Sequence, residues 1–243
     1  MQVYSVSTYK MQHLVVLTGA GISAESGIKT FRDQDGLWEN YDVMEVASYD
    51  GWLRNQDLVL QFYNDRRHQL KSAQPNAGHK GLVELEKYFN VSVITQNVDD
   101  LHERAGSKNI LHLHGELTKA RSTKNPAYIT DIRYNDINTG DLCPEGAQLR
   151  PHIVWFGEEV PAISEAISII QKADLFVIIG TSLNVYPAAG LIDYASIGIQ
   201  IFLIDPNPVQ SPYNRKIEFI KEKAGKGVEI LTNLLRKRLN LDL

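Results

Sequence analysis

Short apolar runs rich in β-branched residues alternate along the chain with longer stretches whose apolar positions recur at helical spacing. Leu14 to Leu17, Val91 to Thr95, Ile110 to Leu113, Ile153 to Phe156, Leu175 to Ile179 and Ile199 to Ile204 predict buried strands. Helices are predicted over Asp50 to Ser72, Ala162 to Lys172, Pro187 to Tyr194 and Val228 to Leu239. Gln74-Pro75 breaks the first of these, and Asn76 is placed to cap a further helix carrying Leu82, Val83 and Leu85. Buried strands separated by helices argue for an α/β fold with a parallel sheet. Residues 120–149 interrupt the rhythm, with Asn, Gly and Pro spread through them and Tyr128, Ile129, Ile132, Tyr134 and Ile137 as apolar anchors.

The domain reading is a Rossmann-like parallel-sheet domain over 1–119 and 150–243, with a small inserted subdomain at 120–149. The 243 residues suffice for a sizeable core, and 43% hydrophobic and 22% charged residues are ordinary for a soluble globular protein. A net charge of -4 gives no electrostatic footprint for nucleic acid or a membrane surface, so neither is expected as a partner. No apolar run approaches membrane-spanning length, and the first residues, MQVYSVSTYKMQHL, lack the pattern of a signal peptide. The single Cys143 excludes an intramolecular disulfide. A cytoplasmic enzyme is the expectation.

Candidate chemistry gathers just past the predicted strands, where open α/β sheets bind ligands. Gly19, Gln96, His114, Gly180 and Asp205 each occupy such a place. Gly19-Ala20-Gly21 after the first strand allows close backbone approach to a phosphate, and Ser23 to Gly27 can begin a short helix. The spacing is not G-x-G-x-x-G, because Ala24 stands where that fingerprint needs glycine. Gln96, Asn97 and Asp99 offer the amides and carboxylate that a ribose and a carboxamide require. Histidine titrates near neutrality, so His114 suits a general base, although it is one of seven histidines. Tyr63 and Arg66 are spaced i, i+3 on one helix, and a phenol with a guanidinium suits a carboxylate.

GAGISAESGIKTFR (19–32), TQNVDDLH (95–102), HLHGEL (112–117), RPHIVWFGE (150–158), GTS (180–182) and GKGVEIL (225–231) occur in that order. Together they resemble the sirtuins, NAD-dependent protein lysine deacylases. The resemblance implies NAD as co-substrate and acylated lysine side chains of proteins as partners. It implies cofactor contacts at Gly19, Ala20, Gly21, Glu25, Phe31, Arg32, Trp38, Gln96, Asn97, Val98, Asp99, Gly180, Thr181, Ser182, Asp205, Asn207 and Gly227. His114 is implied as the base, with Asn97 and Asp99 holding nicotinamide and its ribose, while His102 reads as structural. Phe31 would shield the reacting face and Arg32 order its loop. Val154, Phe156 and Gly157 would pair main chain with an extended substrate. Products would be free lysine, nicotinamide and O-acyl-ADP-ribose.

Tyr63, Arg66 and Ala47, with Thr30 before Phe31-Arg32, match the subclass that removes succinyl and malonyl groups. The expectation is a dual enzyme that prefers these acidic acyl groups and also turns over acetyl-lysine. Two departures stand out. Asp205 lies where sirtuins often have Asn, and the zinc-binding Cys pairs of most members are missing: Ser122 replaces one Cys, and only Cys143 before Pro144 is kept. Four ligands cannot be assembled from one thiol, so no structural zinc is expected. A hydride-transferring dehydrogenase, a non-catalytic NAD or ADP-ribose binding module and a mono-ADP-ribosyltransferase are the competing readings.

Overall fold

A computed structural model describes residues 11–29, 41–207 and 216–240, with 37–38 by backbone alone. In chain order the elements are β1 (His13–Thr18), β2 (Leu37–Trp38), β3 (Tyr41–Asp42), α1 (Val43–Val46), α2 (Tyr49–Arg54), α3 (Gln56–Ser72), α4 (Ala77–Leu85), β4 (Asn90–Thr95) and α5 (Leu101–Ala105). They continue as β5 (Ile110–His112), β6 (Gly115–Ser122), β7 (Ile129–Asp131), β8 (Leu149–Ile153), α6 (Ile163–Ile170), β9 (Leu175–Ile179), β10 (Gln200–Ile204), β11 (Ile217–Ile220) and α7 (Ala224–Arg238).

Six parallel strands form the main sheet in the order β11-β10-β9-β1-β4-β5. The chain therefore builds outward from β1 to one edge, then returns to β9 on the other side of β1. This reversal between β1 and β9 opens a crevice at the strands' carboxyl ends. Strand pleating divides β1 between two cores. Leu14 and Val16 face Leu82 and Leu85 of α4 and Val228 and Leu231 of α7. Val15 and Leu17 face Ala166 and Ile170 of α6 and Leu191 and Ile192 beyond β9. The sheet is thus covered on both sides, as an apolar parallel sheet requires.

A third apolar cluster joins Val46, Trp52, Leu60, Phe62 and Tyr63 to Leu117, Ala120, Ile137, Ile153 and Trp155. It packs α1–α3 against an antiparallel sheet of order β7-β6-β8. Residues 120–149 consequently share a core with the helices at 43–72. Asn64 of α3 fastens them: its side chain donates to Ile137 O at 3.1 Å and accepts from Ile137 N at 3.0 Å. Cys143 Sγ lies 3.4 Å from Ser122 Oγ, and a buried thiol beside a hydroxyl does not fit the donor set of tetrahedral zinc.

Four boundaries differ from the expectations. The helix over 50–72 is interrupted at Asn55, whose side chain accepts from Leu58 N at 3.1 Å and so caps α3. The strand expected at 153–156 runs over Leu149–Ile153 instead, and Phe156 makes only an isolated parallel bridge to Ser48. Residues Ala188–Tyr194 form a 3-10 helix, and α7 begins at Ala224, a turn earlier than its apolar spacing indicates.

Behind the crevice His79 and His102 are both buried, with ring centroids 4.9 Å apart. Burial lowers the His79 pKa to about 4, against the weaker raising effect of Glu103. The unfolded chain therefore takes up a proton near pH 6.5 that the folded chain refuses until about pH 4. Stability is present above that window and is lost as pH falls through it. His79 Nδ1 accepts from Asn76 N at 3.4 Å, a capping bond that glutamine can also make. Urea midpoints at pH 7 and pH 5 should show the wild type losing about 2 kcal/mol more than His79→Gln; equal losses would contradict this account.

Candidate active site

The glycine turn after β1 is shaped by the loop it crosses. Gly21 N donates to Gly180 O at 2.8 Å, and Gly19 N to Ile179 O at 3.0 Å. A Cβ on Gly21 would lie 2.5 Å from Gly180 Cα, and one on Gly180 would lie 2.5 Å from Ile22 N. Gly180 also has φ +63, which only glycine adopts freely. The expected short helix is two 3-10 turns, Ala20–Ile22 and Ala24–Ser26. Asn76 Nδ2 holds them from α4, donating to Ile22 O at 2.7 Å and Ser26 Oγ at 2.9 Å.

Ser23 lies between these turns and connects two of the predicted site residues. Asn97 Nδ2 donates to Ser23 Oγ at 3.1 Å, and Ser23 Oγ donates to Asp99 Oδ2 at 2.9 Å. Leu101 N donates to the other Asp99 oxygen at 3.2 Å. Burial raises the Asp99 pKa, while the bonds from Ser23 and Leu101 hold it down in part. Beneath them Thr18 Oγ1 donates to Thr95 Oγ1, which also accepts from Asn97 N. The Thr18 oxygen is left to accept from His102 Nε2 at 3.1 Å. Burial keeps His102 neutral, so it supports the site from below. Ser23 was not singled out by its sequence; its position between the glycine turn and Glu25 was the available signal.

His114 follows β5 and is placed by its own ring. Its Nδ1 lies 3.0 Å from Gln96 O. A carbonyl only accepts, so Nδ1 carries the hydrogen and the neutral ring keeps its lone pair on Nε2. Burial lowers the His114 pKa, against the raising effect of that bond, and this favours the neutral base. His112 differs: burial works against its charged form, but the bond and charge of Glu103 raise its pKa overall. Its ring joins Asn97 O at 3.0 Å to Glu103 Oε1 at 2.8 Å.

One cavity of about 260 Å³ gathers most predicted site residues. Its lining includes Gly19, Ala20, Gln96, Asn97, Val98, Asp99, His114, Gly180, Thr181 and Ser182. Ala47, Tyr63, Arg66, Val154, Phe156 and Gly157 line the same cavity. Gln96 Nε2 donates to Thr181 Oγ1 at 3.1 Å across the crevice. Tyr63 and Arg66 are buried, at 0% and 6% exposure, so a guanidinium charge lies under the cavity wall. The Phe156 main chain is already engaged, its N–H with Ala47 O at 2.9 Å and its C=O with Tyr49 N at 3.5 Å. Val154 N donates to His114 O at 2.9 Å.

Five predicted residues lie outside the cavity lining. Gly21 packs on Gly180, and Glu25 accepts from Gly225 N at 2.8 Å, tying the turn to the start of α7. Asp205, after β10, accepts from Asn207 N at 2.8 Å. Gly227 lets α7 approach Ile204, whose Cγ2 would stand 2.1 Å from a Cβ there. The readings for Phe31 and Arg32, and for the side chain of Trp38, fall outside the described residues.

A profile of the Sir2 family matches residues 19–187. An NAD-dependent protein deacylase of Bacteroides thetaiotaomicron is 56% identical over 230 residues, 93% of this chain and 98% of that protein. One of Helicobacter pylori is 54% identical over 232 residues, 95% of this chain and 99% of its own. Among solved structures, a mutant Sir2 homologue in complex with ADP-ribose superposes with TM-score 0.86 at 38% identity, covering 96% of each chain.

The loop crossing can be tested apart from chemistry. Gly180→Ala should destabilise the fold by about 1–3 kcal/mol in urea denaturation, from both its φ and its contact with the 20–22 turn. Gly27→Ala meets nothing within 4 Å at φ +84, so it should cost only about 1 kcal/mol. Equal losses for the two variants would contradict the close-packed crossing.

Proposed function

The chain belongs to the Sir2 family and is an NAD-dependent protein deacylase, and we propose that it removes succinyl and malonyl groups from protein lysines in preference to acetyl. The observation that supports the preference is the burial of Arg66 beside Tyr63 in the wall of the shared cavity. A buried guanidinium keeps its charge and gains most from an anion it can bind in a fork. The terminal carboxylate of a succinyl or malonyl group is such an anion, and an acetyl methyl is not. Ala47, on the same cavity, leaves room for the longer chain.

The cavity residues divide the work. Gly19, Ala20, Gly180, Thr181 and Ser182 take the phosphate and ribose oxygens of NAD, while Asn97 and Asp99 orient its nicotinamide half. NAD supplies a ribose that releases nicotinamide and accepts the acyl group. His114 Nε2 takes a proton from a ribose hydroxyl, while the Nδ1–H bond to Gln96 O fixes the ring's tautomer. Val154 and Gly157 border the acyl-lysine peptide. The net charge of -4 and the lone cysteine support action in the cytoplasm on proteins rather than on nucleic acid.

Three outcomes follow. Arg66→Met should lower the succinyl-to-acetyl ratio of kcat/KM roughly ten- to a hundredfold, the worth of a charge-assisted hydrogen bond; an unchanged ratio removes the acyl assignment. His114→Ala should abolish NAD-dependent loss of either group, measured by mass spectrometry. Protonation of His114 disables it, so wild-type kcat/KM should fall as pH drops, with its acid limb below about pH 6.5; a limb well above that value would require a different base.

A further inference from the structure

Trp155 is buried at 2% exposure, and its indole Nε1–H donates to Tyr63 Oη at 3.0 Å. An indole N–H can only donate, whereas a phenol has one hydrogen to give and lone pairs to receive. The Tyr63 oxygen is therefore the acceptor in this bond, and its own hydrogen must point elsewhere. Among the described residues no group accepts that hydrogen, and Tyr63 lines the cavity. Burial also raises the Tyr63 pKa, so the hydroxyl keeps its hydrogen.

The indole is held firmly. The Arg150 guanidinium lies 3.4 Å from its ring centroid, and the Trp52 ring packs 5.5 Å away. Glu158 fixes Arg150 with bonds of 2.7 and 3.0 Å and accepts from Trp155 N at 2.9 Å. Arg121 donates to both Glu158 oxygens at 3.0 Å. A residue so clamped presents its N–H in one direction, and that direction is the Tyr63 oxygen.

We propose that Trp155 is a positioning residue for acyl selection: by donating to Tyr63, it occupies the acceptor side of the hydroxyl facing it and turns the Tyr63 hydrogen toward the cavity, toward an acyl group that ends in an acceptor. A carboxylate has only acceptor sites and meets this requirement. An acetyl methyl accepts nothing, so it gains nothing from the arrangement. The inference rests on the acyl-pocket reading above and adds the residue that sets the polarity of its hydroxyl.

The test uses the full chain and succinyl- and acetyl-lysine peptides of one sequence. Trp155→Phe removes the N–H and keeps an aromatic ring. It should lower the succinyl-to-acetyl ratio of kcat/KM about three- to tenfold, through the succinyl KM, with acetyl kcat held within about twofold. In a Tyr63→Phe background the same change should leave the ratio where Tyr63→Phe alone puts it. A ratio unmoved by Trp155→Phe, or lowered equally without the Tyr63 hydroxyl, would overturn the proposal. If the phenylalanine variant does not fold, benzothienylalanine at position 155 exchanges N–H for sulfur in a ring of the same size and carries the same test. Should Arg66→Met and Tyr63→Phe both leave the ratio unchanged, the pocket reading itself falls. Should they move it while Trp155→Phe does not, only the role of Trp155 falls.

Discussion

Everything at the carboxyl edge of the sheet depends on two loops crossing at contact distance. The loop after β1 and the loop after β9 meet at Gly21 and Gly180, where either Cβ would strike backbone at 2.5 Å. The contact closes the floor of the crevice that the strand order opens. It brings Gly19, Gly180 and Thr181 close enough to form one surface. It also delivers Ser23 to the end of β4, where it joins Asn97 to Asp99. A looser crossing would separate these groups, because their hydrogen bonds run between loops rather than within one.

The groups above this floor are set by hydrogen-bond polarity. Gln96 O fixes the tautomer of His114, the Thr18 oxygen accepts from His102 Nε2, and the Trp155 N–H makes Tyr63 the acceptor of its bond. For His114 and for Tyr63, a group with one possible role dictates that of a partner with two. The low dielectric of the interior makes such choices costly to reverse. An imidazole with its hydrogen on Nδ1 and a phenol that accepts from an indole are both products of this rule.

Much of this was legible in the chain. The apolar runs located five of the six main-sheet strands but not the edge strand β11 (Ile217–Ile220), and the order of QNVD, HG and GTS after them located residues of the cavity. Tyr63 and Arg66 share a helix face that periodicity alone reveals. What was not legible depends on contacts distant in sequence. Asn55 looks like an ordinary polar helix position, yet its side chain ends one helix by capping the next. Ser23 looks like filler among small residues until Asn97 and Asp99 arrive from β4. Trp155 reads as a core aromatic, because nothing local shows that its N–H meets a hydroxyl 92 residues away. The packing of residues 120–149 against α3 was hidden for the same reason: Asn64 completes the hydrogen bonds of Ile137 across the sequence.

The proposed recognition of an acidic acyl terminus in the deacylase cavity is tested best by a competition: succinyl-lysine and acetyl-lysine peptides of identical sequence, mixed in equal amounts with enzyme and NAD, followed by mass spectrometry. The account predicts that the succinyl peptide is consumed first and that O-succinyl-ADP-ribose appears before the acetyl product. Faster loss of acetyl would contradict it, whatever the absolute rates.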